Sequence, residues 1–172
     1  KEIDAVWVCT PTFKHAQPVI AAARAGKHVF CENPMALKKS EAARMVEACR
    51  QADVLLTIGF VRRFDTFWGT FKRIIQSGAV GRPVVWRFAA GGKPPRPWFR
   101  DRNKGGGPLI DGAIHNYDFA LQVFGPVSSV QSSSLQFDAT SVGADTRRPF
   151  STSRAEISTH SSGLGALPQV HQ

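Results

Sequence analysis

Ala5-Val6-Trp7-Val8-Cys9-Thr10-Pro11-Thr12 is a short apolar run closed by a turn, and the recurrence of such runs between helical patterns decides the fold. Five apolar residues are too few for a helix, so Ala5 to Cys9 predicts a buried strand ended by Thr10-Pro11-Thr12. Residues 14 to 25 then set Val19, Ile20 and Ala23 on one helical face, with Gly26 as the C-cap. His28-Val29-Phe30-Cys31 is the next strand. A second helix is expected from Ser40 to Ala52, with Ser40 as N-cap, Glu41 in the first turn, and Met45, Val46 and Cys49 turned inward. Val54 to Ile58 is a third strand. Two successive strand-helix-strand units imply an α/β fold with a parallel sheet, right-handed crossovers and a ligand crevice at the strands' carboxyl ends. Thr10 to Thr12, Glu32 to Pro34 and Gly59 to Arg63 are therefore the residues expected to line a site.

The pattern changes after Phe60, which places a domain boundary there: residues 1 to 60 end one Rossmann-like unit, and 61 to 172 form an incomplete second α/β domain with a mainly antiparallel sheet. Asp65 to Gln76 predicts a helix with Phe67, Phe71, Ile74 and Ile75 inward. Val84 to Ala89 reads as a strand, and Gly91 to Pro108 as a long loop, a length that is often functional. Leu109 to Phe124 reads as a helix closed by Gly125, and Val127 to Phe137 as a strand. Beyond Thr146 the chain turns polar and Ser/Thr-rich, and only Ala155 to Thr159 keeps strand character.

Composition narrows the classes of function. With 172 residues and 42% hydrophobic content the chain is expected to be globular. No apolar run reaches the roughly 20 residues of a membrane helix, and no signal-like segment follows Lys1, so a cytoplasmic location is expected. Three cysteines without metal spacing suggest buried reduced thiols at Cys9, Cys31 and Cys49, neither a disulfide framework nor a metal site. The net charge is +9, and residues 60 to 104 hold eleven Lys or Arg against Asp65 and Asp101. Such a segment is a solvated surface, an anion site or a nucleic-acid face. Nucleic acid is not expected, because no nucleic-acid motif accompanies the charge.

Four motifs occur in order: Thr10-Pro11-Thr12 with His15; Gly26-Lys27-His28-Val29-Phe30-Cys31-Glu32-Asn33-Pro34; Gly59-Phe60-Val61-Arg62-Arg63-Phe64-Asp65; and Gly105-Gly106-Gly107-Pro108-Leu109-Ile110-Asp111 with His115 and Asp118. Together, over about residues 3 to 146, they resemble the Gfo/Idh/MocA oxidoreductases, and the third looks most like the inositol dehydrogenase branch. The resemblance implies an NAD- or NADP-dependent enzyme acting on a sugar, inositol or related polyol, homo-oligomeric at full length. It implies that the chain begins near the fourth Rossmann strand, after the GxGxxG turn. It also implies that Thr10, Pro11 and His15 line the cofactor crevice, that Glu32 lies near the nicotinamide ribose, and that Arg62 and Arg63 serve cofactor phosphate or substrate.

Hydride transfer from a secondary alcohol requires a base for the hydroxyl proton and alignment with the nicotinamide. His115 is the natural base, since a histidine titrates near pKa ~6.5. Asp111, four residues earlier on the expected helix, is placed to orient the ring or hold a substrate hydroxyl, with Asp118, a candidate substrate contact, on the next turn. The family motif Glu-Lys-Pro, whose lysine the resemblance assigns to substrate hydroxyl binding and proton transfer, here reads Glu32-Asn33-Pro34, which makes Asn33 a weakened substitute at a catalytic position. An amide can orient a substrate but cannot act as an acid near neutrality. The departure leaves open a catalytically impaired cofactor-binding homologue. Trp98 and Arg100, in the long loop, are candidates to close over substrate.

Overall fold

The computed structural model describes residues 3–82, 85–88, 97–101, 103–132 and 155–158. Three parallel strands form the first sheet in the order β1 (Ala5–Val8), β2 (His28–Glu32), β3 (Leu56–Gly59). Val6 lies beside Val29 and Val29 beside Leu56, while Val8, Cys31 and Ile58 form the next row on the same face. Helices α1 (Ala16–Arg24) and α2 (Lys39–Gln51) cover that face. Val8, Val19, Ala22, Ala23, Val29, Cys31, Met45 and Cys49 are its buried core. The opposite face carries Trp7, 66% exposed, whose ring meets Phe30 edge-on at 5.7 Å.

The helix ends explain where the strands begin. Gly26, at φ +68°, follows α1, and Lys27 N–H closes back on Ala22 O at 3.0 Å, the left-handed glycine stop expected from sequence. After α2 the same turn is made by Asp53 at φ +51°, with Val54 N–H donating to Cys49 O at 3.0 Å. Val54 thus closes a helix, and the third strand starts at Leu56, two residues later than the apolar run suggests. Lys38, not Ser40, occupies the N-cap of α2, with no side-chain cap. Val46 is 49% exposed, since Met45 and Cys49, four apart, define the inward stripe. Cys9 is exposed rather than buried, whereas burial pushes the Cys31 thiol up to about 12, the nearby Glu32 and Cys9 adding to the effect.

In the second part, α3 (Thr66–Gln76) is capped by Asp65, whose carboxylate accepts from Trp68 N–H at 3.1 Å. Its packed face is Trp68, Phe71 and Ile75, while Phe67 is 72% exposed and Ile74 is also exposed, one position off the expected stripe. Phe71 stacks on Phe119 of α4 (Ile114–Phe124) at 5.8 Å, and Trp68 and Trp86 meet the same ring at 4.9 and 5.0 Å. The expected helix over Leu109 to Phe124 divides into a π-helical turn, Pro108–Gly112, followed by α4. Val85 to Phe88 form no strand, and the ends of that expected element lie outside the described residues. Strand β4 (Ser129–Ser132) pairs antiparallel with β5 (Ala155–Ser158), while residues 133 to 137 lie outside the described residues.

Met45 is fully enclosed between α2 and the sheet. Met45→Ala is expected to lower unfolding free energy by about 2–4 kcal/mol in urea titration, and Val46→Ala by less than about 1 kcal/mol.

Candidate functional site

The carboxyl ends of the three strands are tied together by side chains. His15, 1% exposed, stands just before α1; its Nδ1 lies 3.1 Å from Pro34 O and its Nε2 2.6 Å from Thr10 O. A carbonyl oxygen only accepts, so the ring donates through whichever nitrogen carries its proton. Asn33, joined to Pro34 by a cis peptide bond, donates from its amide to Gly59 O at 2.5 Å. Between them Glu32 accepts from Trp7 Nε1 at 3.3 Å. Gly59 leaves room for that carboxylate: a Cβ there would lie 2.9 Å from Glu32 Oε2 and 3.2 Å from the Phe30 ring. Thr10 is exposed and Pro11 half-buried at the first exit.

Residues from the second part reach each exit. Trp98 meets Phe13, just after β1, edge-on at 6.2 Å and stacks on Phe99 at 4.0 Å. Gly106 lies against Leu37, after β2, so closely that a Cβ would be 3.2 Å from its Cδ2 and would overlap Ile110. Phe60, after β3, meets the His115 ring edge-on at 6.4 Å. Gly105 passes against the Phe99 backbone with no room for any side chain. The Arg100 side chain lies outside the described residues.

His115 Nδ1 is buried with no hydrogen-bond partner among the described residues. Burial pushes the imidazole below its ordinary value near 6.5, the Arg62 guanidinium pushes the same way, and Asp118 opposes both. The ring is therefore held in its neutral form, as a proton acceptor must be. Asp111 sits on the π-helical turn, outside the α-helical register that a four-residue spacing assumes. Among the described residues its side chain makes no hydrogen bond, to His115 or elsewhere, and burial raises its carboxyl above the usual range.

Three expected ligand contacts are already engaged within the protein. Asp118, with a side chain 9% exposed, takes two hydrogen bonds from Arg63 and one from Gln122 at 2.7 Å. Lys72 donates to Gln122 at 2.8 Å, completing a polar row from α3 to α4. Arg62 donates to Asn116 Oδ1 at 3.0 Å and lies over the Trp68 ring at 4.6 Å. With Lys104 paired to Asp101 at 2.6 Å, Arg62, Arg63, Lys72 and Lys104 of the basic segment all have partners within the protein. Gln122 was legible as a helical neighbour of Asp118; Asn116, Lys72 and Phe13 carried no local signal, because their roles arise from contacts distant in sequence.

Comparison with known proteins places this geometry in a family. Residues 1–60 match the oxidoreductase family with an NAD-binding Rossmann fold, and residues 68–156 match the GFO/IDH/MocA C-terminal domain. The chain belongs to the GFO/IDH/MocA oxidoreductase family. It is 41% identical over 123 residues to myo-inositol 2-dehydrogenase of Thermotoga maritima, covering 72% of this chain and 36% of that protein. It is 37% identical over 125 residues to the NAD(+)-dependent scyllo-inositol 2-dehydrogenase of Bacillus subtilis, with the same two coverages. A levoglucosan dehydrogenase solved with NADH and levoglucosan superposes with TM-score 0.67 at 30% identity, covering 78% of this chain and 38% of that one. The chain thus spans about a third of the length of these curated relatives.

Two measurements check the site's electrostatics. Since the folded protein disfavours the His115 proton, NMR titration of that ring should give a midpoint below an ordinary histidine's, and Arg62→Gln should raise it. By linkage, this histidine's contribution to stability is present above pH ~6.5 and is lost as pH falls, because the unfolded chain takes up the proton first. Asp118→Asn should cost roughly 1–3 kcal/mol in thermal or urea unfolding, by weakening a half-enclosed pair with Arg63.

Proposed function

We propose that this chain is part of an NAD(P)-dependent oxidoreductase that moves a hydride between the nicotinamide and a sugar, inositol or related polyol, with His115 as the base. The observation that carries this reading is the packing of His115 on Phe60 at the exit of β3, which puts a neutral imidazole beside the crevice rim. Family membership supports the cofactor, and the inositol and levoglucosan dehydrogenases among its relatives support the substrate class.

The residues present fit the nicotinamide end of the cofactor. Glu32 offers carboxylate oxygens to ribose hydroxyls, Thr10 and Pro11 line the adjacent turn, and Gly59 keeps the approach free of a side chain. When bound, the nicotinamide supplies the hydride-accepting ring. His115 takes the hydroxyl proton of the substrate at its ring nitrogen. Asp111, with no internal partner among the described residues, holds a neighbouring substrate hydroxyl. Trp98 and Phe99 form an aromatic wall that excludes water from the same edge. His15, Arg62, Arg63 and Asp118 act on this site through the frame.

The division at residue 60 into a Rossmann part and a substrate and oligomerisation domain belongs to this proposal. So do a mainly antiparallel second sheet extending the β4–β5 pair, a homo-oligomeric whole protein and a cytoplasmic location. Among the described residues no helix is long and apolar enough to cross a membrane.

The engaged amide of Asn33 favours one further reading, a homologue that binds the dinucleotide without turning over substrate. Assays of the whole protein for NAD+ or NADP+ reduction across a broad polyol panel separate the two. Turnover is expected with at least one polyol, and His115→Asn should lower kcat by about a hundredfold or more. Dinucleotide binding with no hydride transfer to or from any member of the panel would establish the non-catalytic reading instead.

A further inference from the structure

We infer that His15 and Asn33 act as one strut across the mouth of the crevice, and that Asn33 is a positioning residue rather than a weakened stand-in for a catalytic lysine. Thr10 lies two residues past the first strand, Asn33 and Pro34 follow the second, and Gly59 ends the third. His15 lies between Thr10 O and Pro34 O, its neutral ring donating to one of them at a time and packed against the other, and Asn33 joins the second exit to the third. His15 approaches the carbonyl of Pro34, the residue after Asn33, so the backbone of Asn33 and Pro34 carries the connection from the His15 contact to the Asn33–Gly59 bond.

Each link is placed to resist water. His15 is the most enclosed polar side chain among the described residues, Pro34 is fully buried, and the Asn33 bond is part-buried. A hydrogen bond in such surroundings is costly to leave unmade. Three exits fixed relative to one another present Glu32 and Thr10 to a ligand without reordering, which lowers the entropy of binding and alignment. Asn33 has a second N–H and a carbonyl oxygen remaining, but its orientation is set by the backbone of β3.

This inference rests on the proposed function only where cofactor binding is measured, so the test has two arms, both on the whole protein. The first is amide hydrogen exchange, which needs no ligand. Asn33→Asp turns an acceptor toward Gly59 O, and His15→Leu removes both ring contacts at similar bulk. Each should accelerate exchange about tenfold at amides bonded within the turns, Lys14 to Pro11 and His15 to Thr12 after β1, Phe60 to Ile58 and Arg63 to Phe60 after β3. Asn33→Asp should do so at the β1 exit as well as at its own link, the sign of a continuous strut. Should either variant fail to fold, Asn33→Ser and His15→Gln carry the same readouts.

The second arm measures NADH affinity by fluorescence, and kcat and KM with the best polyol. Asn33→Asp should weaken NADH binding about tenfold, and Asn33→Lys should weaken it without raising kcat. An Asn33→Lys variant with raised kcat and unchanged NADH affinity would overturn the inference, because the position would then be catalytic. Exchange within twofold of the unmodified protein in both strut variants would overturn it equally. If the unmodified protein binds no NADH, the proposed function fails, and hydrogen exchange alone decides the strut.

Discussion

Parallel pairing of three strands is the constraint on which the rest of the structure depends. A parallel strand cannot be reached by a tight turn, so each needs a helical crossover, and α1 and α2 return along the covered face of the sheet. Every strand then leaves the sheet at the same edge. Strand spacing near 4.8 Å puts the three exits within reach of ordinary side chains, which is why one histidine and one asparagine span them.

The second part depends on that edge in turn. The aromatic group of Trp68, Phe71, Trp86 and Phe119 joins α3 to α4, while the Asp118 carboxylate draws in Arg63 from the turn after β3. Apolar packing joins the two helices, and the ion pair ties α4 to the turn after β3. Through it the His115 ring is held against Phe60, and the burial that holds it there also keeps it neutral. Packing and acid–base character at this position are therefore one property.

Much of the arrangement was legible in the sequence. The alternation of apolar runs with helical patterns located three strands and two helices, and Gly26 marked a helix end correctly, because local chemistry governs both. The ordered motifs from Thr10 to His115 carried the family. Less legible were helix faces and element edges: Phe67 and Ile74 lie off the packed stripe, Val54 is taken up by a helix stop, and the helix expected from Leu109 begins at Ile114. The first two depend on a phase shift of one or two residues, which hydrophobic pattern alone leaves open, and the third on a π-helical turn at Pro108–Gly112 that takes up the first residues of the expected helix.

The sequence by itself determined the parallel α/β class, the positions of the crevice turns and the presence of an asparagine where the family carries lysine. These follow from periodicity, turn chemistry and residue identity, all local properties. Only the tertiary structure decided what the polar residues do. Arg63 and Asp118 face each other, His15 lies between two backbone carbonyls and donates to one of them, and Asn33 is bonded to the end of a strand 26 residues away. The physical reason is that a polar side chain's role is set by the partner it meets on leaving water, and that partner is chosen by the packing of distant segments.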